Sequence, residues 1–127
     1  LQRQDLMANA VRLGALLRRR LDGLRSRFPL VGDVRGKGLL MAVELVADPE
    51  TLEPLPPSAM AAARLTDLAF ERGLILYWRR TRGGREGDHV MVCPPLIVEA
   101  AQVDDLIDRL ADSLAALQHS LDPRTAA

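Results

Sequence analysis

The chain has 127 residues, of which 48% are apolar and 27% charged, with 17 basic and 17 acidic side chains in exact balance. That composition suits one globular domain hiding about two thirds of its unfolded surface, and it excludes disorder and any general field for nucleic acid or anionic membrane. No apolar run nears the ~20 residues that span a bilayer, and the lone Cys93 excludes an internal disulfide or a cysteine-based zinc site and points to a reducing, cytoplasmic compartment.

The start, Leu1-Gln-Arg-Gln-Asp5, carries neither Met nor a signal sequence, so a piece of a longer chain is expected. Apolar residues then fall at Leu6, Ala10, Leu13, Leu17, Leu21, Leu24 and Phe28, which draws one stripe along a long helix ended by Pro29. Two runs rich in Val and Leu flank Gly36-Lys37-Gly38. They predict a short strand, a tight bend built on glycine backbone angles, and a longer strand over residues 39–46. Four prolines in residues 48–57 predict a loop unable to pair in a sheet. Ser58 is the expected cap of a second helix bearing Ala61, Leu65, Leu68 and Ala69, closed by Gly73.

Residues 74–78 (Leu-Ile-Leu-Tyr-Trp) read as a buried strand, with Tyr77 and Trp78 in the core. Residues 79–88 form a polar, glycine-rich loop holding four arginines, and residues 89–93 form another strand. The last helix carries Val103, Leu106, Leu110, Leu114, Leu117 and Leu121 on one stripe. The order α-β-β-α-β-β-α predicts an α+β fold, a small and mostly antiparallel sheet flanked by helices.

Lys37 is the only amine side chain, beside 16 arginines. A Schiff-base lysine needs burial or a neighbouring cation, whereas Lys37 at a bend reads as a solvated turn residue. His89 and His119 suggest no third ligand, and Cys93 reads as a packed thiol. Neither Ser58 nor Ser113 lies in a nucleophile elbow, so no catalytic set is complete. Arg79, Arg80, Arg82 and Arg85 surround Gly83-Gly84. Such a loop is either a solvated basic surface balanced by Glu86 and Asp88, or a mobile clamp for a carboxylate or phosphate.

Three stretches in this order carry a resemblance: Val31-Gly-Asp-Val-Arg-Gly-Lys-Gly-Leu-Leu-Met-Ala-Val-Glu-Leu-Val46, then Glu71-Arg-Gly-Leu-Ile-Leu76, then Gly87-Asp-His-Val-Met-Val-Cys-Pro-Pro-Leu-Ile-Val98. Together they resemble the C-terminal small domain of class III (omega-type) aminotransferases, fold-type I pyridoxal phosphate enzymes. The resemblance implies that residues 1–127 are that domain, that the cofactor-binding large domain lies elsewhere, and that this chain alone is inactive. It implies a homodimer acting on a small-molecule amine and a keto acid such as pyruvate. Ornithine-like members carry an arginine where Met91 stands, whereas amine:pyruvate members place a mobile arginine ahead of Gly-Asp. That comparison singles out Arg79, Arg80 or Arg82 as the substrate-carboxylate residue. Glu99 stands where the family's last helix opens on Thr or Ser, a less compact cap. Part of the first helix's stripe is expected to pack on the large domain. The rival readings are a standalone binding or dimerisation module, and a related pyridoxal phosphate aminomutase or decarboxylase.

Overall fold

The computed structural model describes residues 3–81 and 86–122. Helix α1 (Arg3–Arg27) leads into strands β1 (Val31–Lys37) and β2 (Leu40–Asp48) and a short β3 (Glu53–Pro54). Helix α2 (Ala61–Glu71), strands β4 (Tyr77–Thr81) and β5 (Glu86–Val92), and helix α3 (Ala100–Leu121) follow. The main sheet runs β1-β2-β5-β4, β3 pairs with β2, and every pairing among the described residues is antiparallel.

From Leu13 to Phe28 the apolar stripe of α1 is spent within the domain. Leu13, Leu17, Leu21, Leu24 and Phe28 join Val34, Met41, Val43, Val90 and Val92 of the sheet and Leu110, Leu114 and Leu117 of α3 in one continuous core. Each fully buried leucine contributes roughly 1.5–3 kcal/mol, so this stripe fixes α1 on the sheet. Leu6, at the start of the stripe, lies outside that core and is only half-buried. Of the large apolar side chains of α1, Met7 and Val11 are exposed, and both lie off the stripe. Gly14 brings α1 onto the β1–β2 turn: a Cβ there would lie 2.6 Å from the Gly38 carbonyl carbon. The turn itself is Gly38-Leu39, between the partners Lys37 and Leu40.

Several local expectations need correction. Residues 48–57 do pair, because Glu53 and Pro54 lie at a sheet edge, where a missing proline N–H is tolerated. Ser58 lies in a 3-10 turn (Pro57–Ala59), and Met60, with φ of 50°, occupies the N-cap of α2. The prolines delay the helix past Ser58. Of residues 74–78 only Tyr77 and Trp78 are in a strand, and only Leu76 is buried, because β4 is an edge strand. Ile75 is 73% and Tyr77 68% exposed. At α3, Gln102 Oε1 accepts from the Glu99 N–H at 2.9 Å, so a capping-box bond offsets the bulk of Glu99.

Candidate functional site

The sheet has one face under the helices and one that is open. Cross-strand pairing sorts the residues. Val34, Val43, Val90 and Trp78 stand in one row, with Met41 opposite Val92, and all but Trp78 are buried. The intervening rows lie on the other face. One reads Arg35, Ala42, Met91, Tyr77, and the next Asp33, Glu44, His89, Arg79. On this open face Arg35 Nη1 lies 3.0 Å from Glu44 Oε2 and 3.3 Å from Asp33 Oδ2, so its charge is answered within the domain. His89 Nδ1 lies 3.0 Å from the Gly87 carbonyl, which orients the ring.

Arg79 and Arg80 belong to β4, not to the loop expected over residues 79–88. The connection shrinks to residues 82–85, because strand pairing resumes at Thr81 and Glu86. Arg82, Arg85 and the Gly83-Gly84 pair lie outside the described residues. Arg79 is exposed on the open face between His89 and Tyr77, and among the described residues no ion-pair partner meets it. Arg80 goes the other way. Its Nε donates to Asp88 Oδ1 at 2.6 Å and its Nη2 to the Pro57 carbonyl at 2.9 Å, and its guanidinium carbon lies 6.0 Å from the Trp78 ring centre.

Asp88 is 2% exposed and the Arg80 side chain 12%, which makes them a buried pair under the first turn of α2. The Ala62 N–H adds a 3.4 Å contact to Asp88 Oδ2. The turn into Asp88 depends on Gly87. Two steps along β4, from Arg79 to Thr81, span three along β5, from His89 to Glu86, and Gly87 holds φ of 77° at this bulge. Sequence reasoning read Asp88 as surface balance for the loop. The alternation of β4 was a usable signal, since period two separates Tyr77 and Arg79 from Trp78 and Arg80.

Lys37 is exposed at the end of β1. The environment a Schiff-base lysine requires is missing there, so the described residues do not fit attachment of pyridoxal phosphate. Cys93 is exposed, against the packed thiol expected, because it follows the last paired residue of β5 and borders an apolar recess with Leu74, Ile75 and Leu106. Among the described residues no helix is long and apolar enough to cross a membrane, and no three His, Cys, Asp or Glu side chains converge as a metal site.

The family model for class-III aminotransferases matches residues 1–114. A taurine–pyruvate aminotransferase of Bilophila wadsworthia is 34% identical over 108 residues, covering 84% of this chain and 23% of that protein. A transaminase from the marine bacterium Virgibacillus superposes with a TM-score of 0.88 at 30% identity, over 94% of this chain and 26% of its own. An amine transaminase from an uncultivated Pseudomonas species, solved in a pyridoxal phosphate-bound form, gives a TM-score of 0.77 at 32% identity, over 90% of this chain and 24% of its own. This chain spans about a quarter of the length of the curated relatives it matches. Full-length members of the family are enzymes that use pyridoxal phosphate. With its match running from the first helix through most of the last, the chain belongs to the class-III aminotransferases.

Proposed function

We propose that residues 1–127 are the C-terminal small domain of a longer pyridoxal phosphate-dependent aminotransferase, homodimeric and cytoplasmic. The whole enzyme would move an amino group between an amine or omega-amino acid and a keto acid such as pyruvate. The observation that carries this reading is the family match over residues 1–114, at about a quarter of its relatives' length. In this reading the chain supplies no covalent chemistry and is inactive alone, since exposed Lys37 does not suit cofactor attachment.

Its contribution is substrate recognition. Of the two described candidates, Arg79 and Arg80, it is Arg79 that is exposed, and its planar fork suits a carboxylate held by two parallel bonds. It binds the carboxylate of the keto acid, and its long side chain turns aside for an amine that lacks one. Motion of the side chain suffices for this, because Arg79 itself is held in a strand. Arg82 stays a candidate for the same role.

The test is the intact mass of the polypeptide from its source cells after borohydride reduction. A much longer chain with a pyridoxyl adduct outside residues 1–127 is expected. A free 127-residue chain without adduct would overturn the reading in favour of a standalone binding or dimerisation module.

A further inference from the structure

Strand β4 reads Tyr-Trp-Arg-Arg-Thr, two aromatics followed by two arginines. Its side-chain pattern is nearly unchanged by a slip of one residue, which would exchange Tyr77 with Trp78 and Arg79 with Arg80 between the two faces. A slip of that kind is opposed elsewhere by the contrast between apolar and polar positions. Here that contrast is absent, the strand has five residues, and it lies at the sheet edge. Apart from Leu76, buried just before the strand, the hydrophobic pattern does little to choose the register, so a second contact has to hold it.

The geometry points to Asp88 as the register-selecting residue that decides which arginine β4 presents on the open face. Its buried carboxylate accepts from Arg80 Nε at 2.6 Å, while Arg80 Nη2 reaches the Pro57 carbonyl at 2.9 Å and lies 3.4 Å from Met60 Sδ. Three chain segments thus meet on one guanidinium: β4, β5 and the approach to α2. A charged hydrogen bond in a buried setting outweighs a neutral one, and a carboxylate left without its cation there is costly. Only one register of β4 delivers Arg80 to this carboxylate. Strand alternation then commits Arg79 to the opposite face, beside His89 and Tyr77. Asp88 touches no substrate in this scheme and acts through Arg79, as a positioning residue. The inference rests on the reading of Arg79 as the carboxylate-binding side chain.

The test uses the complete enzyme that carries this chain. Arg79→Met comes first and is expected to raise the keto-acid KM about tenfold or more, the worth of a charged hydrogen bond. An unchanged KM would overturn the Arg79 reading and the register inference with it. Given that rise, Asp88→Asn is expected to raise the keto-acid KM by about tenfold, while the KM of an amine donor without a carboxylate stays within about twofold. Adding Arg80→Met to Asp88→Asn is expected to bring the keto-acid KM back to within about threefold of the parent, because an apolar residue 80 again favours the helix side. Removing an arginine would then improve carboxylate binding, which no general loosening of the fold produces. A parent-like KM in Asp88→Asn, an equal rise for amine and keto acid, or no recovery on adding Arg80→Met would each overturn the register inference while leaving Arg79 in place. Should Asp88→Asn fail to fold, Arg80→Lys replaces it. Lysine keeps the charge and loses the Nε bond, so the same split between substrates is expected at about threefold, and a parent-like keto-acid KM overturns the inference.

Discussion

Arg79 and Arg80 are consecutive in the chain and leave β4 on opposite faces of the sheet, the first exposed beside His89 and the second bonded to Asp88 at 2.6 Å. Two residues identical in chemistry therefore have different work. One is exposed on the open face. The other ties the edge strand to the helix layer, and its charge is spent inside the protein.

Stability should separate the pair. Arg80→Met leaves the Asp88 carboxylate buried without its cation, and breaking such a pair costs about 3–5 kcal/mol. Arg79→Met alters an exposed side chain and is expected to change stability by no more than about 0.5 kcal/mol. Urea unfolding of the 127-residue chain followed by circular dichroism compares the two. Equal midpoints would contradict the assignment of faces.

Gly14→Ala tests the approach of α1 to the β1–β2 turn. The added carbon would lie 2.6 Å from the Gly38 backbone, which is not the yielding end of a side chain. Alanine normally strengthens a helix, by about 1 kcal/mol over glycine. Here overpacking of about 1–3 kcal/mol is expected to prevail, so the melting temperature should fall. A rise would mean that the helix and turn separate at little cost.

Gly87→Ala probes the bulge in β5. The residue holds φ of 77°, and a Cβ there would run into Thr81 Oγ1. A side chain in that conformation costs about 1–2 kcal/mol. Lower stability is expected from the same unfolding measurement, together with weaker hydrogen-exchange protection in β4 and β5. Unchanged protection would show that Asp88 keeps its place without the bulge.

Cys93 should react with a thiol reagent in the folded chain, since it is exposed at the end of β5. Titration with Ellman's reagent is expected to find one thiol without denaturant. Reaction only after urea is added would return Cys93 to the packed role first expected of it.

The α+β class, the long outer helices and the antiparallel pairing of β1 with β2 were legible in the sequence, since each rests on a period. Leu13, Leu17, Leu21 and Leu24 repeat at helical spacing, and Val34, Met41, Val43 and Leu45 alternate with residues that face outward. The family was legible as well, in three motifs whose order carried more information than any one of them. The edge strand was not. Leu74, Ile75 and Leu76 look like a buried strand, yet among the described residues no strand covers that edge, and Ile75 and Tyr77 are exposed. The split between Arg79 and Arg80 depended on a partner eight residues further along the chain, Asp88, which composition reads as surface charge. Local patterns determine what the chain makes of each segment, because backbone geometry and hydrophobic period act within a few residues. Which of two equal charges is buried and which stays exposed was decided only by tertiary contact. A carboxylate enclosed beneath α2 pairs with Arg80, and strand geometry sends its neighbour Arg79 the other way.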